Sequence, residues 1–279
     1  MKTKVLITVK TYPSISKKYD ELVCTAGFKE DGSWIRIYPI PYRKLEDEKQ
    51  YKKWQWIEID LVKRSQDFRP ESYRPTSENP DIHIGEFLTT ENNWSKRKSI
   101  ALCNVYHNMS ALIEDSKNIN KRTSLATLKP KKILDFIIEP SEREWDKDKI
   151  DAIKSNNQQL KLFEGNEEQV HNFFFQVAKK LPYKFSYKFT TDDGKERAIM
   201  IEDWELGVLY WKMIEVYKDE DIACQKVKEK YFDTFTTKND IYFFMGTSLT
   251  WQSKNAPNPF MIIGVFYPPK EDKSQLSLF

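Results

Sequence analysis

The chain has 279 residues, a formal net charge of +3, 31% charged residues and 14% aromatic residues. The aromatic share excludes a disordered chain, and the mild charge excludes a histone-like global field, so any nucleic-acid contact has to come from a local patch. Cys24, Cys103 and Cys224 are odd in number and far apart, which fits neither a disulfide framework nor a paired-cysteine metal site. With only a short apolar run at the N-terminus and no stretch of transmembrane length, the expectation is a soluble cytoplasmic protein with no membrane association.

In chain order, the apolar and β-branched residues 4–9 predict a buried first strand, and residues 21–28 a second. Asp31 and Gly32 then carry a hairpin signal into a third strand, where Ile35 and Ile37 alternate with Arg36. Residues 44–53 suggest a short helix, and 54–62 a fourth alternating strand. Pro70 and Pro75 argue against a central strand over 67–75, because proline cannot donate to a ladder. Helical spacing over 91–117 puts Trp94, Leu102, Val105, Met109 and Leu112 on one apolar side, and residues 131–140 read as a strand closing the first lobe.

A second half repeats this plan. Residues 183–190 alternate aromatic and polar, and a turn at Asp192, Asp193 and Gly194 leads into 198–201. A helix is predicted over 203–232, followed by strands at 240–247 and 260–267. The expected fold class is therefore α+β and β-rich: two small β-barrel-like, OB-like lobes with inserted helices and a flexible C-terminal tail. The expected boundaries are a first lobe at 1–140, a polar linker at 141–170, a second lobe at 171–268 and the tail at 269–279.

The tail residues Gln275, Leu276, Leu278 and Phe279 resemble the pentapeptide by which many bacterial replication and repair proteins dock on the sliding clamp, the β subunit of DNA polymerase III. An extended peptide of this kind buries its Leu and Phe side chains while the Gln amide bonds at the pocket rim. Gln159, Leu160, Leu162 and Phe163 repeat the pattern inside the polar middle, and two copies would let one ring be held bivalently. Because this copy is internal, an edge strand or helix end packed between lobes is the stronger explanation for it. Two further stretches, Asp31 to Pro39 and Asp240 to Tyr267, resemble uncharacterised bacterial families described as carrying two OB-like barrels. That resemblance implies nucleic-acid binding by analogy.

Basic residues interleaved with aromatics form the most suggestive pattern. Trp34, Arg36, Tyr38 and Arg43 lie on or just after one strand, with Lys52 and Lys53 close behind, while Arg69, Arg74, Lys96, Arg97 and Lys98 follow as further phosphate-binding candidates. Aromatics on strands are also ordinary core residues, and charge runs are ordinary solvated faces. Glu202, Asp203 and Glu205 form an acidic cluster that suits either a divalent cation or the first turn of a helix. No histidine or cysteine spacing marks a catalytic or metal site, and with eight glycines no nucleotide-cradling loop or cofactor is expected. The preferred reading is a non-enzymatic DNA-associated protein tethered to the clamp, serving repair, mobile-element biology or antiphage defence. The alternatives are a clamp-recruited metal-dependent nuclease or base-processing enzyme, using Glu202, Asp203 and Glu205 or Asp67 and Glu71, and a clamp inhibitor that touches no DNA.

Overall fold

The computed structural model describes residues 2–271 apart from 17–19, 41, 43–44, 78 and 152–177. The first lobe holds β1 (Lys2–Lys10), β2 (Ser14–Ser16), β3 (Asp20–Lys29), β4 (Trp34–Ile40), β5 (Gln55–Lys63), β6 (Ser72–Pro75) and β7 (Ile82–Phe87). Strands β1, β3, β4, β6 and β5 pair in that order, and β5 returns to β1 through Lys2↔Asp60 to Ile7↔Gln55, closing a five-stranded barrel. All of these pairings are antiparallel except β4 with β6. Closure removes the sheet edges that an open five-stranded sheet would expose, and an OB-type barrel is compatible with this architecture.

The continuous apolar run of β1 follows from burial on both faces. Val5 and Ile7 point into the barrel with Ile35, Ile37, Ile57 and Ile59. Leu6 and Val9 point outward, against Phe244, Ile263 and Phe266 of the second lobe. Two glycines are set by geometry. A Cβ at Gly27 would lie 1.9 Å from the Leu6 carbonyl oxygen, and Gly32 turns the β3–β4 hairpin at φ 78°.

The second lobe contains α1 (Glu91–Ala101), β8 (Val105–Tyr106), α2 (Met109–Lys117), β9 (Leu125–Leu128), β10 (Lys132–Pro140), β11 (Tyr183–Thr190) and β12 (Arg197–Met200). It continues with α3 (Trp204–Tyr217), α4 (Glu220–Lys228), a π-helical turn Glu229–Thr234, α5 (Phe235–Lys238), β13 (Tyr242–Thr247), α6 (Leu249–Ser253) and β14 (Phe260–Phe266). Sheets β10-β11-β12 and β14-β13-β9-β8 meet through the bridge Ile201↔Ile262. Between them Phe136, Phe185, Tyr187, Phe189 and Phe243 form an aromatic core, closed by Tyr210, Val227 and Tyr231 from the helical layer. The protein is thus a β-rich α+β fold. Among the described residues no helix is long and apolar enough to cross a membrane.

Tertiary pairing corrects four sequence expectations. Residues 125–140, expected in the first lobe, pair instead with strands of the second half, β9 with β13 and β10 with β11. Residues 72–75 do form a strand inside the barrel, since Pro70 precedes it and Pro75 is its last residue, so neither interrupts the ladder. The helix expected over 91–117 is two helices, α2 being started by Asn108, whose side chain accepts from the Ala111 N–H. The helix expected over 203–232 breaks at Lys218, which caps α3 in the left-handed conformation before Asp219 caps α4.

Arg36 and Arg69, expected as groove cations, are instead buried where the lobes meet, at 3% and 4% exposure. Arg36 donates to the Ser124 Oγ at 2.8 Å and the Ser124 carbonyl at 3.1 Å, and Glu71 accepts from the Ser124 N–H at 3.1 Å and the Ser124 hydroxyl at 2.7 Å. Arg69 donates to the Thr247 carbonyl at 2.7 Å and to both oxygens of Asp67, at 2.8 and 2.6 Å. The guanidinium forks therefore join barrel to second lobe, and a strand-alternation pattern carries no sign of a partner 88 residues away. Replacing Arg69 by Ala strips the buried Asp67 carboxylate of its two short guanidinium bonds and leaves Arg64, at 4.0 Å, as its cationic partner. The expected loss is about 3–5 kcal/mol of unfolding free energy, read from urea denaturation.

Candidate nucleic-acid interface

A cleft of about 650 Å³ opens where the barrel, α1, α3 and the end of β14 converge. Its lining has six cationic side chains, Lys10, Lys52, Lys53, Arg97, Lys212 and Lys230, against one carboxylate, Glu205. The balance favours an anionic ligand. Trp54, Phe87, Trp94, Trp204 and Tyr267 supply aromatic surface beside these charges.

One wall is built around Arg97. Its guanidinium lies 4.9 Å from the Trp54 ring, 5.1 Å from Trp94 and 5.4 Å from Phe87, and it donates twice to the Leu88 carbonyl. Both tryptophans have left-handed backbone, φ 67° at Trp54 and φ 61° at Trp94, a conformation that costs a residue with a Cβ roughly 1–2 kcal/mol. Trp54 is held there by a ladder-like pair, its N–H donating to Ile7 and its carbonyl accepting from Leu88. Asn92 and Asn93, which tolerate this region better than most residues, lead Trp94 into it. Strain of this kind persists where surrounding structure over-determines it, and it concentrates at binding sites.

The floor is an inter-lobe ion pair. Lys53 Nζ lies 3.2 Å from Asp203 and 3.2 Å from Glu205, with the Lys53 and Asp203 side chains only 8% and 1% exposed. Burial alone would lower the pKa of Lys53, but Asp203 and Glu205 outweigh it and hold the ammonium above its usual range. Burial would raise Glu205, and Lys53 overcomes this and holds the carboxylate ionised. Asp203 also caps α3, accepting from the Glu205 N–H at 3.1 Å. The acidic cluster read as a possible cation site is thus divided between a helix cap, an ion pair and the cleft wall. Among the described residues no group of three or more His, Cys, Asp or Glu is placed to hold a metal ion.

Lys10 sits at the mouth of this floor. Its Nζ donates to the Tyr42 hydroxyl at 3.1 Å and the Tyr51 carbonyl at 3.3 Å, 4.2 Å from the Tyr42 ring and 5.5 Å from the Trp204 ring. Burial and the neighbouring Lys53 charge push its pKa down to about 8, with Glu205 and Asp203 opposing.

Of the nucleic-acid candidates read from the sequence, the fold brings Lys52, Lys53 and Arg97 together in this cleft. Trp34 packs on Phe28 and Phe244 and lines a separate cavity of about 400 Å³. Tyr38 is half-buried beneath Arg64, and Arg74 is exposed and donates to the Pro75 carbonyl. Lys96 pairs with Glu86 and Lys98 with Glu271. Arg43 lies outside the described residues, as do the clamp-like residues Gln159, Leu160, Leu162, Phe163, Gln275, Leu276, Leu278 and Phe279. Lys10, Trp94, Trp204, Lys212 and Lys230 are additions, and nothing in their local sequence marks them, since they come from four segments that meet only on folding.

Replacing Lys53 by Met removes a like charge from beside Lys10 and frees Glu205 to attract it. Both effects favour the charged amine, so the Lys10 pKa is expected to rise from about 8 toward the ordinary lysine range. Titration of the Lys10 side-chain resonance by NMR reads this directly, and an unchanged midpoint would show that Lys53 does not govern it.

No curated protein matches the chain. Residues 1–103 match the model for a domain of unknown function, DUF8758, so the boundary between the two family matches falls where β7 and α1 give way to β8. Residues 105–279, more than half of the chain, match the model for a second domain of unknown function, DUF8757, and the chain belongs to that family.

Proposed function

We propose that this protein is a DNA-associated accessory protein, held at the bacterial sliding clamp by Gln275, Leu276, Leu278 and Phe279, that binds an unpaired nucleic-acid strand in the cleft between its lobes. The observation that carries the nucleic-acid part is the cleft itself, whose lining combines six cations with several flat rings. Cations track phosphates, and rings stack on bases without regard to sequence. Its volume of about 650 Å³ falls within the range of small-ligand sites, which suits one or two extruded nucleotides and not a stacked duplex. The clamp part rests on the pentapeptide and its second copy at Gln159, Leu160, Leu162 and Phe163. Its setting is the cytoplasm, in replication-coupled repair, mobile-element biology or defence against phage.

Fluorescence anisotropy with a labelled single-stranded oligonucleotide and its duplex, at two salt concentrations, tests the cleft. The single strand is expected to bind more tightly, and its affinity to fall with salt by about 0.7 logarithmic units per decade for each phosphate contacted. Equal affinity for the duplex, or no binding at low salt, would overturn the cleft reading. For the clamp, calorimetric titration should show at least a tenfold loss on deleting residues 275–279 and a smaller loss for Phe163→Ala. Unchanged affinity without the pentapeptide would remove the tether.

A further inference from the structure

We propose that Lys10 is an imine-forming lysine, whose amine condenses reversibly with an aldehyde-bearing ligand seated in the cleft. Resting on the nucleic-acid reading, that ligand is an unpaired strand containing an abasic sugar in its ring-opened aldehyde form.

Condensation with a carbonyl needs an amine with an available lone pair, next to space for the ligand. Desolvation and a neighbouring cation are the two means by which a protein supplies one. Lys10 has both. Its amine lies against the edge-packed Tyr42 and Trp204 rings, 4.2 and 5.5 Å from their centroids, and the cation beside it, Lys53, is buried and fixed. Lys53 itself is unsuited, because two carboxylates lock its ammonium at 3.2 Å. The groups bearing on Lys10 are Lys53 from the loop before β5, Asp203 and Glu205 from the start of α3, and the Tyr42 hydroxyl. Burial, with Lys53, outweighs the two carboxylates, leaving the amine partly neutral near pH 8.

The chemistry closes without an oxidant or reductant. The amine lone pair forms an N–C bond to the aldehyde carbon, and the carbonyl oxygen takes up a proton. Glu205, whose side chain is 46% exposed in the same cleft, relays the proton that the nitrogen loses. The new hydroxyl then takes a second proton, supplied by solvent at the open cleft, and leaves as water while the nitrogen lone pair forms the C=N bond, giving a protonated imine; addition of water reverses the sequence. An abasic strand suits the site further, since its phosphates meet Lys52 and Lys212 while the missing base leaves room at the aromatic wall.

The test incubates the full chain with a saturating single-stranded oligonucleotide carrying one abasic site, adds sodium borohydride, and maps any adduct by peptide mass spectrometry. The expected result is a single reduced adduct on Lys10, at least tenfold less abundant in Lys10→Arg, which keeps the charge but forms no stable imine. Mapping on the unsubstituted protein does not depend on how the variant folds. Binding of the intact oligonucleotide without any adduct would overturn the Lys10 assignment and leave the nucleic-acid reading standing, as would an adduct spread over surface lysines or equal in Lys10→Arg. An adduct on Lys10 with 2-deoxyribose 5-phosphate, in a protein that binds no oligonucleotide, would support the reactive lysine and overturn its nucleic-acid ligand.

Discussion

The Lys53–Asp203 pair is the contact on which the cleft depends. It ties the loop before β5 to the first turn of α3, so one barrel residue and one second-lobe residue define the floor between them. Buried pairs of this kind add little net stability over an apolar pair of equal volume, because desolvation offsets the Coulomb attraction. What such a pair does supply is position. An ammonium with no partner would be too costly at that depth, so the lobes have to meet in the arrangement that brings Asp203 to it. Asp203 is itself fixed by capping α3, which passes the constraint on to Trp204 and Glu205.

The rest of the interface reinforces that register. Leu6, Phe28 and Trp54 from the barrel interlock with Phe244, Ile263 and Phe266, and the Arg36 and Arg69 forks add directed bonds through Ser124 and Thr247. Apolar contact brings the lobes together without choosing an orientation, whereas forked donors bond well in only one. With that register fixed, Trp54 and Trp94 can be kept in left-handed backbone and Arg97 stacked among them. The cleft is therefore preorganised, so less conformational entropy is lost when a ligand enters.

Local pattern made much of the fold legible. Alternation over 183–190, the Asp-Gly turn at Gly32 and the β-branched run of β1 each correspond to strands or turns in the structure, because each reports on a few neighbouring residues. The failures share one cause. Residues 72–75 become a barrel strand only because β4 and β5 are already on either side. Likewise β10 belongs to the second lobe through β11, more than forty positions later. Part of the site followed the same rule: Lys52 and Lys53 were readable from aromatic neighbours in sequence, but Lys10, Trp204 and Lys212 come from distant segments and carry no local signature.

By itself the sequence determined the class of the fold, several strands and turns, and the two clamp-like pentapeptides, because all of these are written in residues within about ten positions of one another. Tertiary structure alone decided which cations stay available to a ligand. Arg36 and Arg69 look no different in sequence from Lys52 and Arg97, yet the first two are buried against second-lobe carbonyls and the other two line a cleft. The reason is that a charge's role depends on the partners and dielectric around it, and those are set by chain segments that meet only when the two lobes dock.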